Sequence, residues 1–425
     1  MTVALLLVAI GLLLLLRVPV AFAFLGPGLA YMLLTDQSLG LAMRLIVNST
    51  ASFPLLAVPL FVLLGVVANH AGIADRLFDF ALALFGRVRG GLGYVSVGVS
   101  LGFSWMSGSA VADAAALSKV EIPAMLRNGY SRRFGLGVVG ASALIAPVMP
   151  PSIPAVIFAG LAAVSTGALF AASVIPALLM AVGLCIVVFF MVRRQPDIVH
   201  TGFSWARLAA TGKRVVGPLL APVIILGGIL GGFFTPTEAA AVGAFYMLVL
   251  GFAYRTVRVR DLPRIFSETV MTTAAIMLIV SSASLLGYVL ARERVPQELS
   301  ELVLGFTSDP TVFLLIVAAL MLVLGTVVDP TAVLVLVIPI LMPIALGLGV
   351  DPIVLGVLMI LSLMIGLLTP PVGTVLYVLS STMKVPVGEV FKGSLPFIIP
   401  LLIICVAIIV FPGFVTWLPE QLGLL

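Results

Sequence analysis

Two proline pairs, Pro150-Pro151 and Pro370-Pro371, interrupt segments otherwise apolar enough to cross a bilayer. Proline has no amide hydrogen and stops a helix, and hydrocarbon offers no water to the carbonyls that such a break frees. A chain broken twice in this way must fold so that protein groups or a ligand meet those oxygens. The surroundings repeat as well. At an offset of 216 residues, Val111-Ala112-Asp113 followed by Ile122-Pro123 returns as Val327-Val328-Asp329 followed by Ile338-Pro339. Duplicated units carrying discontinuous helices are how secondary transporters build a site at mid-depth.

With 62% hydrophobic and 9% charged residues, the chain exceeds the apolar share of about 45–50% found in soluble domains. It reads as an all-α polytopic membrane protein lodged in a lipid bilayer. The net charge of +5 is dispersed over short loops, which argues against a nucleic acid partner. Cys185 and Cys405 stand alone in apolar runs, which supports neither a disulfide framework nor a zinc site. The first sixteen residues are apolar and precede Arg17, the reverse of a signal peptide's order, so they read as a first span.

Crossings are expected near 2–16, 18–34, 53–69, 134–165 with a break, and 168–192. The second half supplies 216–234, 236–254, 266–290, 353–382 with a break, and 395–417. Stretches 92–126 and 311–346 carry polar or glycine centres, Ser107-Gly108-Ser109 and Gly325-Thr326, and read as re-entrant helical hairpins. Five crossings per half give two inverted-topology repeats, each with a hairpin and a Pro-broken helix. The chain then divides into four segments: 1–90 and 193–309 as scaffold and linker, 91–192 and 310–425 as the transport parts. Stretches 36–52, 72–86, 197–214 and 291–309 are too charged for hydrocarbon and read as interfacial helices.

Basic residues of short loops concentrate on the cytoplasmic side. With both termini periplasmic, nineteen of the twenty-two Lys and Arg fall inside, among them Arg17, Lys119 and Arg194, leaving only Arg44, Arg292 and Arg294 outside.

Broken helices offer carbonyl oxygens on one side of the break and helix N-termini on the other. The first suits sodium, the second a carboxylate. Ser107, Gly108 and Ser109 at one tip, Pro150, Pro151 and Ser152 at one break, Gly325 at the other tip, and Thr369, Pro370, Pro371, Gly373 and Thr374 at the other break form the candidate ion- and substrate-binding set. Hard cations prefer such oxygens. The competing explanation is that small residues only ease helix packing in membranes. Asp113 and Asp329 join the set as intramembrane carboxylates, although helix capping accounts for either equally well. Thr235-Pro236-Thr237-Glu238 fits a structural capping box. His70 and His200 have no partner acid or thiol in the expected topology, and Lys119 and Glu121 are expected to snorkel to the inner surface.

Four motifs, Ser107-Gly108-Ser109-Ala110-Val111-Ala112-Asp113, Met149-Pro150-Pro151-Ser152, Phe234-Thr235-Pro236-Thr237-Glu238-Ala239-Ala240 and Leu368-Thr369-Pro370-Pro371-Val372-Gly373, resemble the large membrane (permease) subunit of tripartite ATP-independent periplasmic (TRAP) transporters. The resemblance spans essentially the whole chain. It implies an elevator of the ion-transporter superfamily, with scaffold and transport domains, in a bacterial inner membrane. It further implies sodium-coupled uptake of a small anionic organic substrate, such as a C4-dicarboxylate or sugar acid, delivered by a periplasmic substrate-binding protein. By position, the implied sodium residues are Ser107, Ser109, Pro150 and Ser152 in one half and Gly325, Thr369 and Gly373 in the other. The second tip is poorer in hydroxyls than the first. No four-span extension is fused to this chain, so the small four-span membrane subunit is expected as a separate polypeptide.

Sodium is the only cofactor expected, with no organic group; no P-loop pattern is present, and no buried arginine marks a carboxylate contact. Two other classes fit less well. A stand-alone ion-coupled carboxylate transporter would need no binding protein. An intramembrane aspartyl protease would need Asp113 and Asp329 close enough to share a proton.

Overall fold

The computed structural model describes residues 2–16, 18–193, 198, 202 and 204–425. Arg17, Arg194 and His200, each given an expected placement from sequence, lie outside the described residues. Among the described residues every regular element is helical. The first half runs α1 (Thr2–Leu15), α2 (Val20–Leu34), α3 (Leu39–Thr50), α4 (Ala57–His70), α5 (Ile73–Phe85), α6 (Gly91–Ser107), α7 (Ala110–Arg127), α8 (Arg132–Ala143), α9 (Ile153–Ala162) and α10 (Thr166–Val192). The second runs α11 (Trp205–Leu230), α12 (Pro236–Ala253), α13 (Leu262–Arg292), α14 (Val295–Phe306), α15 (Pro310–Gly325), α16 (Pro330–Gly347), α17 (Pro352–Gly366), α18 (Thr374–Met383), α19 (Val387–Val410) and α20 (Gly413–Gln421).

Local sequence explains many of the boundaries. Thr235 accepts the Glu238 amide at 3.3 Å while Glu238 accepts the Thr235 amide at 2.8 Å, the reciprocal capping box that starts α12. Helix α5 buries Ile73, Leu77, Phe78 and Ala81 and exposes Asp75 and Asp79, the two-sided pattern of an amphipathic helix. Phe134 to Ala143 of α8 and Ile353 to Gly366 of α17 are buried without exception, with Ser142 and Ser362 as their only polar side chains. Such helices belong at a bundle's centre. Helix α10 instead exposes Leu178, Val182, Ile186, Phe189 and Phe190, spacings that line up one stripe facing outward.

Three expectations change. Of stretch 197–214, residues 197, 199–201 and 203 lie outside the described residues, and from Trp205 onward it is the first part of the 26-residue α11 rather than a separate helix. The last span begins at Val387 and stops at Val410, and α20 restarts after Pro412. The repeat's register also moves. Helix starts pair 110 with 330 and 132 with 352, and the proline pairs match 150 with 370, a spacing of 220 residues. The 216 offset is one helical turn short, since a shift of about four residues preserves which face of a helix is apolar.

By length and composition, seven described helical segments can each cross a membrane. Helices α1 and α2, with 14 and 15 residues, fall short of the roughly 20 that an upright crossing needs. One of the seven is α16, which the sequence pattern reads as a hairpin arm.

Hairpins and broken helices exchange partners across the halves: α7 packs on α18 and α16 packs on α9, while α8 and α10 both pack on α19. Helix α13 runs along the other side, against α2, α3, α4 and α16. Within the second half the backbones of α15 and α17 nearly touch. A Cβ on Gly366 would stand 2.6 Å from the carbonyl carbon of Gly325 and from the carbonyl oxygen of Leu322. Close approach through small residues replaces hydrophobic drive in lipid.

Gly366→Ala should therefore pry α15 from α17 at a cost of about 1–3 kcal/mol, read as a lower melting temperature of the purified protein. Gly347→Ala, with no atom within 4 Å of the new methyl, should leave it unchanged. Equal melting of both variants would remove this account of the crossing.

Candidate ion and substrate site

At the first hairpin tip α6 ends on Ser107, Gly108 turns through the left-handed region at φ 58°, and Ser109 caps α7 by accepting the Ala112 amide at 3.4 Å. The Ser107 hydroxyl donates to one carboxylate oxygen of Asp113. Asp113 is fully buried, and its Oδ2 has no hydrogen-bond partner. Across from the tip, Leu144 to Pro151 run as irregular turns with a cis peptide between Pro150 and Pro151. Ser152, fully buried, restarts the helix by accepting the Ala155 amide at 3.1 Å.

The second half solves the same problem differently. Here the backbone carbonyl of Thr326, at the hairpin tip, accepts the amides of Val372 at 3.2 Å and Gly373 at 2.8 Å, tying the tip to the break. Gly373 sits at φ 62°, a conformation glycine adopts without strain, and a Cβ there would meet the Thr369 carbonyl oxygen at 2.9 Å. The Thr369 hydroxyl donates to Ile365 O at 2.9 Å, whereas Thr374 Oγ1 is buried without a partner. The Pro370-Pro371 peptide is cis.

Between these four pieces lies a cavity of about 420 Å³. Hairpin one contributes Gly108 to Val111, the first break Pro147, Ile153 and Pro154, hairpin two Asp329, Pro330 and Thr331, and the second break Met364 and Leu367. Helix α13 closes the remaining wall with Thr272, Ala275, Ile276 and Ile279. A second cavity of about 150 Å³ adjoins it, sharing Ser109, Ile153 and Thr272 and adding Ser107 and Asn69. The N-termini of α7, α9 and α16 all reach the larger cavity, and each concentrates partial positive charge there. Among the described residues its lining holds no Lys, Arg or His, and Asp329 is its only charged side chain.

The two aspartates are not equivalent. Asp329 is exposed and accepts the Thr331 amide at 2.9 Å, so it caps α16 and faces the cavity. In the 220-residue register its counterpart is Ser109, and the counterpart of Asp113 is buried Val333. Gly108, Ser109 and Asp329 thus line the main cavity, and Ser107 lines the smaller one. Gly325 lies instead in the α15–α17 crossing. Ser152, Pro150, Pro151, Thr369, Pro370, Pro371, Gly373 and Thr374 form the breaks and line neither cavity.

Sequence reasoning missed the α13 wall, although the pair Thr272-Thr273 in an otherwise apolar stretch was a legible signal. Two readings are corrected. His70 does have an acidic neighbour, since Nε2 lies 3.7 Å from Glu268 of α13, a proximity that only tertiary packing creates. Lys119 is exposed as expected, but Glu121 does not snorkel: it is fully buried on the face of α7 that carries Leu117, Ser118 and Ile122.

Residues 7–414 match the family model described as "Tripartite ATP-independent periplasmic transporter, DctM component". The chain is 41% identical to the sialic acid TRAP transporter large permease protein SiaM of Vibrio cholerae over 95% of each chain. It is 36% identical to the C4-dicarboxylate TRAP transporter large permease protein DctM of Pseudomonas aeruginosa, covering 92% of this chain and 91% of that one. Among solved structures, the YdaH transporter of Alcanivorax borkumensis superposes with a TM-score of 0.62 over 87% of each chain at 17% identity, a likeness of fold alone.

Ser107→Ala strips Asp113 of its hydroxyl donor and should cost about 1–3 kcal/mol of stability. Combined with Asp113→Asn, the two losses should fall short of additive by about 0.5–3 kcal/mol, measured by denaturation of the purified chain. Additive losses would mean that the Ser107–Asp113 contact contributes nothing.

Proposed function

Because the chain belongs to the DctM-component family of tripartite ATP-independent periplasmic transporters, we propose that it carries a small organic acid across the bacterial inner membrane, driven by sodium. The relatives are transporter permeases, not enzymes. The aspartyl protease reading falls with them, and the fully buried Asp113 and exposed Asp329 do not form a dyad. On this reading a periplasmic binding protein delivers the substrate, a small membrane subunit packs on the scaffold, and both termini face the periplasm.

The observation that carries the reading is one cavity lined by residues of both hairpins and of the helices flanking both breaks, and reached by three helix N-termini. Its volume of about 420 Å³ lies within the range of about 300–1,000 Å³ for small-molecule sites. An organic acid's carboxylate is held there by helix N-termini, with the hydroxyls of Ser109 and Thr331 as donors, in place of an arginine. A sugar acid or C4-dicarboxylate is the substrate class that fits.

Sodium addresses what the N-termini leave unsolved. One cluster in each half holds a buried oxygen without a partner, Asp113 Oδ2 beside the first tip and Thr374 Oγ1 behind the second break. Both are hard oxygens suited to an alkali ion. An ion at Asp113 neutralises a carboxylate that would otherwise repel an incoming anion, which couples ion loading to substrate loading. The exchange of partners between α7 and α18 and between α16 and α9 makes the hairpins and broken helices one body. That body slides as an elevator against the scaffold helices, α13 among them.

The test is uptake by proteoliposomes holding the chain with its partner subunit and binding protein, supplied with sialic acid, C4-dicarboxylates or keto acids. A sodium gradient should drive uptake that an equal potassium gradient does not. Asp113→Asn should raise the half-saturating sodium concentration about tenfold, equivalent to ~1.4 kcal/mol. Equal rates in the two gradients for every acid would overturn sodium coupling.

A further inference from the structure

Glu121 lies eight residues beyond Asp113 on α7, about 12 Å along the helix axis at 1.5 Å per residue, and touches neither cavity of the site. It is completely buried, and so are Ser96 and Ser100 on α6 and Ser142 on α8. The Ser96 hydroxyl donates to Glu121 Oε2 at 2.5 Å and stands 3.4 Å from Ser142 Oγ. Ser100 donates to Ser142 at 3.0 Å, and Ser142 donates to the Val139 carbonyl at 3.2 Å. Each hydroxyl proton of the cluster is therefore placed. None is left for Glu121 Oε1, which is buried with no partner.

No cation among the described residues compensates this carboxyl. The elements packed on α7 are α5, α6, α8 and α18. They carry Asp75, Arg76, Asp79, Tyr94, Arg132, Arg133 and Tyr377, and α7 itself carries Asp113, Lys119 and Arg127. Of these only Asp113 is buried, and among the described residues no ion pair includes Glu121. An ionised carboxylate so enclosed costs several kcal/mol, and such a group neutralises rather than remain charged.

Two neutralising agents are available, an alkali ion or a proton, and the geometry separates them. Oxygens sharing one hard cation at 2.3–2.6 Å stand about 3 Å or more apart, whereas Ser96 Oγ and Glu121 Oε2 are 2.5 Å apart. The Ser96 hydroxyl proton fills that spacing and leaves no place for a cation between the two oxygens, whereas a proton bound at the unpartnered Oε1 needs no cavity. We propose that Glu121, framed by Ser96, Ser100 and Ser142 between α6, α7 and α8, is a proton-binding site inside the first hairpin, separate from the substrate and sodium sites. Water supplies the proton, which forms an O–H bond to the carboxyl and leaves the hairpin uncharged at this position. Losing it places a bare carboxylate inside the moving body and slows transport at alkaline pH.

Infrared difference spectroscopy of the full chain in nanodiscs reads the proton directly and requires no transport. At neutral pH the carbonyl stretch of a protonated carboxylic acid should be present, should disappear in Glu121→Gln, and should persist, shifted, in Glu121→Asp. Glutamine mimics the neutral acid, so this variant should fold. In proteoliposomes under a sodium gradient, the unsubstituted protein should lose rate toward alkaline pH by up to about tenfold per pH unit. Glu121→Gln should be flat over the same range, and Glu121→Asp should regain the dependence. A spectrum unchanged by Glu121→Gln, or a band that sodium abolishes at constant pH, would overturn the proton site. If no acid is transported at all, the infrared result still decides this proposal independently of the transport reading.

Discussion

The requirement that no backbone polar group be stranded in hydrocarbon organises this molecule. Both proline pairs free backbone groups at positions that lipid cannot satisfy, and the two halves answer in different ways. In the second half the answer is explicit, since the Thr326 carbonyl takes two amides of the broken segment. In the first half hydroxyls and a carboxyl take that role: Ser109 and Ser152 cap the restarting helices, and Ser107 donates to Asp113. In the second half the tip thus completes the break's hydrogen bonding, whereas in the first half tip and break each satisfy their own, and a cavity is left where helix ends from all four pieces converge.

That convergence gives the cavity an electropositive rim although, among the described residues, its lining has no basic side chain. Three helix N-termini supply diffuse positive charge, and the one carboxylate in the lining, Asp329, is occupied in capping α16. Asp113 and Glu121, the two fully buried carboxyls of hairpin one, are groups whose charge the surrounding protein must neutralise.

Membership of a family whose relatives bear names as different as sialic acid and C4-dicarboxylate permeases fits a shared frame with a locally varied lining. The wall formed by α13, with Thr272, Ala275, Ile276 and Ile279, lines the cavity without taking part in the tip-to-break contacts.

Much was legible in the sequence alone. Apolar runs and proline pairs dictated a helical membrane protein broken at two equivalent places, because hydrocarbon permits few alternatives, and Ser107, Gly108, Ser109 and Asp329 do line cavities. What remained hidden depends on contacts between distant elements. A one-turn slip keeps the same helix face, so the motif match could not distinguish an offset of 216 from the true 220, and Asp113 was paired with Asp329 when its counterpart is Val333. Glu121 looked like a surface residue because only the packing of α6 and α8 on α7 reveals which face is sealed. His70 met Glu268, and α13 became a cavity wall, only once separate helices were brought together. Sequence determines which groups must find partners in lipid; tertiary structure decides which partners they find, because that choice is set by the geometry of helix crossings.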